Sequence, residues 1–500
     1  MLISKGFNES LKRLRRRALS VAAAVIMLPG VAGTARADDY DATAFLNRAT
    51  AAMGSADVKS LRITAAGTGA SFGQAYTPGT RWPKVNFPEY IRAINYDTGS
   101  FRDDIKRSRA EPNGGGALPP SGEQSVTQVF SAGHAWNMAG ANPAAALLAI
   151  NDRTHDLTIT PHGILKAAAR QKARLDWTTL GGRSLGTLTF SGPGRFTVKA
   201  YFNDDYLLER VESILPNPVL GDMAVATAYA VYRDYNGVKF PTRILQSQGG
   251  YPVLDLTVKS VEVNSAVDLP VPDAVKNAAE RVAAEKVADG VWFLAGGSHN
   301  SVAIEMKDHV VLVEAPLYDG RSGVVIDEVK KLVPNKPIRF VVNSHTHFDH
   351  SGGLRTLAAA GATVVTQQLN KPYFEKVLAN PNKLNPDRFA KSGKKAKVVG
   401  VKDKMVLTDG SRTIELHHIA GNIHTETFLM AYLPREKLLI EADAFTPGAP
   451  NAPVAANPAP ATVNLVENVD RLKLAVDKVL PLHGRVVPAA EMYRAAGRAM

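Results

Sequence analysis

Residues 344–353 read Ser-His-Thr-His-Phe-Asp-His-Ser-Gly-Gly and put four ligand-type side chains, His345, His347, Asp349 and His350, within six positions. Imidazole nitrogen and carboxylate oxygen at this density are the donors with which a chain holds a divalent cation. From an extended loop, alternate residues such as His345 and His347 project to one side, and Asp349 and His350 serve an adjacent position once the chain turns. Gly352 and Gly353 then open a helix, where the missing Cβ lets backbone pass close to the cluster. Cysteine is absent from the 500 residues, which excludes thiolate ligands, iron–sulfur clusters, a thiolate nucleophile and a disulfide framework.

This run resembles the histidine-rich signature of the metallo-β-lactamase superfamily. The family pattern continues with a histidine after a strand, an acidic residue ending another strand and a last histidine near the C terminus; His424, Asp443 and His483 stand in those places, in that order. The resemblance covers the chain from about Val291 onward. It implies a hydrolase with two divalent cations, zinc by preference, with iron or manganese compatible with the same ligands. His345, His347 and His424 would hold one cation, Asp349, His350 and His483 the other, and Asp443 would bridge them. A hydroxide shared by the cations would attack the carbonyl of a small-molecule substrate, a β-lactam, lactone, ester or thioester, with Asp349 also taking part in proton transfer. Two departures stand out. Glu314 ends an early strand where relatives often place Asp, and a carboxylate one methylene longer can still fix an imidazole tautomer. Gly421 is displaced from the position directly before His424. His299 lies in an early loop that in this fold overhangs the metals, either as a substrate contact or as a surface residue, and of the adjacent His417 and His418 at most one can face the site.

The elements that must carry these residues fall into two textures. From about Tyr40 to Val263 alternation such as Phe196, Val198, Ala200 and Phe202, with turn signals at 203–205 and 236–237, predicts an antiparallel meander, interrupted by a helical stretch at 164–175. This pattern is similar to the curved sheet of lipoprotein carriers. Residues 81–122 are too rich in Gly and Pro to assign, and His134, His155 and His162 lack ligand spacing and read as surface or packing residues. A Pro-rich segment within 264–284 reads as a linker. Beyond it, β-branched runs alternate with helical patterns at 324–333 and 354–360, and a late apolar face, Val469 to Val479, precedes Pro481. The fold class expected is α+β: an αβ/βα sandwich over 285–500 of the metallo-β-lactamase kind, preceded by a mainly antiparallel β domain over 40–263.

Residues 1–37 have the form of an export signal: a basic stretch through Arg17, an apolar run from Ala18 to Leu28, and the small-residue site Ala35-Arg36-Ala37, with cleavage expected after Ala37. The apolar run is shorter than the roughly 20 residues of a spanning helix, so no stable membrane anchor is expected and a periplasmic or secreted location is. The three arginines at 15–17 also suit twin-arginine export. Seven basic groups against one acid lie here, so half of the formal charge of +12 belongs to the leader. The mildly basic remainder, without interleaved aromatic and basic residues, gives no sign of a nucleic-acid partner. Two alternatives accompany the carbonyl hydrolase: a phosphodiesterase of the same fold, and a carrier of a lipid-like ligand in which the metal site is vestigial. The basic stretch at 391–404 and the Pro-rich tract 446–461 read as solvated surface and as a loop near the pocket mouth.

Overall fold

The computed structural model describes residues 41–116 and 122–498. The expected export signal lies outside them. Thirteen strands, from Ser60–Ala70 to Tyr251–Val263, form one antiparallel sheet in which the first strand pairs with the last, Leu61 opposite Val263 and Gly69 opposite Leu254. Helices Ala42–Ala52 and Pro161–Arg170 bury Phe45, Ala49, Ile164, Leu165 and Ala168 against sheet residues Leu188, Val198, Phe202, Val211 and Val225.

Two expectations for this half need correction. The helix predicted at 164–175 spans Pro161–Arg170, because Thr160 caps its N terminus by accepting from Gly163 N, Pro161 suits the first turn, and Lys172 leaves helical space at φ +50°. Within 81–122, left unassigned from the sequence, two strands run at Lys84–Asn95 and Ser100–Arg109. Their alternation is disguised because charged residues take inner positions: Arg92 pairs bidentately with its cross-strand neighbour Asp103 at 2.7 and 2.6 Å, and Tyr90 donates to the same carboxylate at 2.8 Å.

The segment expected as a linker packs closely. Val275, in the short helix Asp273–Lys276, is buried with Val129 and Trp136, and a strand begins at Ala283. From there a seven-stranded sheet runs to Val398–Val401, its first four strands antiparallel and its last three, starting with Ile338–Val342, added in parallel. A six-stranded sheet follows, from Lys404–Thr408 to Val487–Pro488. Alternate residues face alternate layers. Val302, Ile304, Val311, Val313 and Val342 join Ile414, Leu416, Met430 and Leu439 in the core between the sheets. Their neighbours Ala303, Val310, Leu312 and Val341 pack under helices Asp319–Leu332, Leu354–Ala360 and Lys371–Leu378. Helices Pro460–Arg471 and Ala489–Ala495 cover the second sheet through Leu465, Val466, Val469 and Met492. The layers are thus αβ/βα, as expected. The apolar face read from Val469 to Val479 is not one helix: the helix ends at Arg471, Lys473 adopts φ +54°, and Val479 belongs to the strand Lys478–Pro481. Among the described residues no helix is long and apolar enough to cross a membrane.

His155 and His162 are packing residues: His155 meets Phe196 edge-on at 5.0 Å and His162 stacks on Phe240 at 6.1 Å. His134 is half-buried, with Nδ1 3.0 Å from the Ala132 carbonyl. Burial pushes the His162 imidazole down from 6.5 to about 4, against a smaller upward effect of the Lys239 backbone. The unfolded chain therefore takes up a proton at His162 below pH 6.5 that the folded chain refuses until about pH 4, and stability falls across that window. The shift corresponds to about 3 kcal/mol. Denaturant titrations at pH 7.5 and 4.5 are expected to show His162→Leu losing about 2.5 kcal/mol less than the natural chain. Equal losses in both proteins would contradict this role.

Candidate metal centre

The strand Ile338–Val342 delivers the chain to Asn343, whose N–H bonds the Val365 carbonyl at 2.8 Å. His345 and His347 follow in extended conformation, and the single helical turn Phe348–Ser351 swings Asp349 and His350 round behind them. Glycine is required where this turn meets the rest of the protein: a Cβ on Gly352 would lie 1.8 Å from the Leu317 carbonyl oxygen. His424 follows Gly421, which adopts φ +74°, and its N–H bonds Asn422 Oδ1 at 2.9 Å, so the displaced glycine still makes the turn. Asp443 follows the strand Leu438–Glu441, and His483 follows Lys478–Pro481, its parallel neighbour.

All seven residues singled out in the sequence meet in one cleft. Asp443 is at its centre: Oδ2 lies 3.2 Å from His345 Nε2, 2.9 Å from His350 Nε2 and 3.0 Å from His424 Nε2, and Oδ1 lies 2.8 Å from His483 Nε2. The donors sort into two groups, each within 4.8 Å: His345, His347, His424 and Asp443, and beside them His299, Asp349, His350 and His483. His345, His347 and His350 are fully buried, whereas Asp349 and His483 retain 29% and 20% side-chain exposure and so mark the open side.

The outer nitrogens of four imidazoles are committed elsewhere, and this fixes their tautomers. His347 Nε2 lies 3.1 Å from the Ala75 carbonyl and His483 Nδ1 lies 2.8 Å from the Ser298 carbonyl, so both nitrogens must donate. His350 Nδ1 donates to Glu314 at 2.9 Å. Ser344 gives its one hydroxyl proton to Glu314, so its oxygen accepts from His345 Nδ1 at 2.9 Å. The inner nitrogens face one another, His345 Nε2 and His347 Nδ1 at 2.8 Å, His350 Nε2 and His483 Nε2 at 3.0 Å, and on neutral rings they carry lone pairs. Neutral rings in this arrangement repel unless something positive lies between them, and a donor set of imidazole and carboxylate suits divalent zinc, iron or manganese.

Without an ion, the two sides of the cleft ionise differently. Burial, with the charge of His350 adding to it, pushes His345 down to about 3 although Asp443 pulls upward, and burial also holds His347 well below its ordinary value. Burial opposes charge on His350 and His483 as well, but Asp443 raises both, helped at His350 by Asp349 and Glu314. Burial likewise opposes ionisation of Asp349 and Asp443, and His350 overrides it, so both carboxyls stay well below their usual range. The two ionised carboxylates thus draw in positive charge, which protons on His350 and His483 supply and which a cation would replace.

Glu314 supports the centre from below. It is buried at φ +76°, a left-handed conformation that aims its carboxylate under the histidine loop, where Asn343 Nδ2 and Ser344 N also donate to it at 3.3 and 3.4 Å. His299 reaches the cleft, with Nε2 3.1 Å from Asp349 Oδ2 and its ring 4.4 Å from that of His483. His417 and His418 do not, bonding Glu415 and the Glu426 carbonyl instead. The tract 446–461 lies partly against the C-terminal helix, Ala455 N donating to the Arg494 carbonyl, and Pro447 lies close to Gly484, next to His483, where an added Cβ would stand 3.0 Å from its Cδ. Three contributors went unread in the sequence: Gln74, Ala75 and Gly115, all from the N-terminal sheet. Gln74 donates to Asp349 Oδ1 at 2.8 Å across 275 positions of sequence. The one trace of them is the glycine run 114–116, a mark of close backbone approach.

A family model described as the metallo-β-lactamase superfamily matches residues 294–483. Among solved structures the chain is similar to a metallo-β-lactamase from Pontibacter korlensis, with 17% identity over 43% of this chain and 97% of that one and a TM-score of 0.34. It is also similar to one from Hirschia baltica, with 20% identity over 43% and 97% and a TM-score of 0.34. A third, from Pseudomonas aeruginosa and in mono-zinc form, has 18% identity over 44% and 94% and a TM-score of 0.33. No curated protein matches the chain. The family match spans both groups of converging donors, and the C-terminal half of the chain has the metallo-β-lactamase fold.

Proposed function

We propose that this chain is an exported hydrolase that uses two divalent cations to open a carbonyl–heteroatom bond in a small molecule, a β-lactam, lactone, ester or thioester. The observation that carries this reading is the convergence of inward imidazole nitrogens around Asp443. His345, His347 and His424 would hold one cation, Asp349, His350 and His483 the other, and Asp443, which touches both groups, would serve both. Bound there, the cations supply Lewis acidity toward the carbonyl oxygen and lower the pKa of a shared water toward about 7.

The chain's own residues do the rest. The buried imidazoles, locked by Ser344, Ala75, Glu314 and Ser298, need no reorientation during a turnover, so the site is organised in advance. Asp349 Oδ2 is directed at the common centre and is the base placed to take a proton from the attacking water. His299 Nε2 donates to that oxygen at 3.1 Å and holds it in place. The form of residues 1–37 supports export, and the modest charge of the remaining chain supports a small molecule over nucleic acid.

Purified protein lacking residues 1–37 is expected to hold about two cations per chain. A hydrolysis screen across nitrocefin, lactones, aryl esters, thioesters and phosphodiesters identifies the bond. His347→Ala or Asp443→Ala should lower turnover at least about a thousandfold while circular dichroism stays unchanged. Unchanged turnover would refute the mechanism, and turnover confined to phosphodiesters would refute the carbonyl substrate. Glu314→Gln sets an amide nitrogen against groups that themselves donate, and calorimetry should show metal affinity reduced about 10- to 100-fold.

A further inference from the structure

We infer that the N-terminal sheet is part of the metal centre, through the loop 71–83 between its first two strands, and that Gln74 is a positioning residue for Asp349. The inference rests on the two-cation reading above. The loop lies along both segments that carry ligands. Phe348 N donates to the Gly73 carbonyl at 3.2 Å, next to His347 and Asp349. Glu426 N and Thr425 Oγ1 donate to the Tyr76 carbonyl at 3.0 and 3.1 Å, and Thr77 Oγ1 donates to Glu426 at 2.7 Å, close to His424. A second strand of chain braces it: Gly114 N bonds the Ile423 carbonyl at 2.9 Å and Gly115 N bonds the Gln74 carbonyl at 3.1 Å. Position 115 has no room for a side chain, since a Cβ would stand 2.3 Å from His347 Cε1 and 2.2 Å from Gln74 Oε1. Phe72 and Trp82, at the two ends of the loop, meet Phe348 edge-on at 5.3 and 5.8 Å and hold the loop down.

Within this frame Gln74 has a defined task. Its amide holds Asp349 Oδ1 at 2.8 Å, which leaves Oδ2 to face His350 Nε2 at 3.5 Å and the second group of donors. An ionised carboxylate accepts only, so the donor must be an N–H or O–H, and the amide supplies one without adding a charge. Freed from it, Asp349 could rotate or turn both oxygens inward, and the cation of its own group would be held less well. The other group depends on this loop through a backbone atom, the Ala75 carbonyl on His347, which side-chain substitutions leave in place. Loss of the Gln74 amide should therefore separate the two cations.

The test is a titration of the metal-stripped chain with Co2+ alone, followed by calorimetry and visible absorption. Gln74→Met keeps the length of the side chain and removes the donor, and Thr77→Ala loosens the same loop without touching a ligand. The natural chain should show two binding steps. Gln74→Met should keep the first within about twofold and weaken the second about 10- to 100-fold, with an altered absorption band for that step alone. Thr77→Ala should match the natural chain in both. Two unaltered steps in Gln74→Met would overturn the inference, as would equal weakening of both steps in both variants, which marks a purely structural loop. A single step in the natural chain would overturn the two-cation reading itself and the inference with it.

Discussion

Inner nitrogens of buried imidazoles face one another across 2.8–3.0 Å around the carboxylate of Asp443. Groups of this kind do not gather in a dry cleft unaided, because burying unpaired polar groups is unfavourable by several kcal/mol each in the absence of a partner. Most of what surrounds the cleft can be understood as the means of enforcing that convergence. Glu314 and the carbonyls of Ala75 and Ser298 take the outer protons, Ser344 relays between His345 and Glu314, and the rings have no freedom to turn away. Glu314 accepts a left-handed backbone to do this, a local strain that the closely packed strand Val310–Val313 sustains.

The sandwich supplies the places from which these groups reach inward. The strands Ile338–Val342, Leu438–Glu441 and Lys478–Pro481 end at the cleft, and the candidate ligands sit just past those ends. A separate tie joins the loop 296–300 to the loop of His483, with Asn300 N bonding the Leu482 carbonyl and Asn300 Nδ2 bonding the Gly484 carbonyl. That tie keeps His299 beside Asp349. The N-terminal sheet grips the same domain at a second point, where Asp222 accepts from Lys383 N and Leu384 N. The N-terminal half is consequently held at both the centre and the periphery.

The convergence of the candidate ligands was legible in the sequence because ligand chemistry is written in residue types. Four donors in six positions, then His424, Asp443 and His483 behind apolar strands, leave few arrangements open. The layers were legible too, through the period-two switch between Val302, Ala303 and Ile304. Helix ends were not, since Thr160 as a cap and Lys172 or Lys473 as a left-handed stop are single-residue signals beneath a broader periodicity. The strands carrying Arg92 and Asp103 were hidden because a buried ion pair looks like surface in a hydrophobicity pattern. Gln74 and Ala75 were invisible for a different reason: one is an ordinary loop residue, the other contributes a backbone carbonyl, and contacts across some 270 positions leave no local periodicity.

The central claim is that the cleft is shaped for a pair of cations. Anomalous X-ray diffraction from crystals of the purified protein, recorded at the edge of whichever metal it carries, tests this directly. The account predicts two peaks about 3.5–4 Å apart on either side of Asp443, one beside His347 and the other beside His483. A single peak, or none, with Asp443 hydrogen-bonded only to protonated histidines, would contradict it.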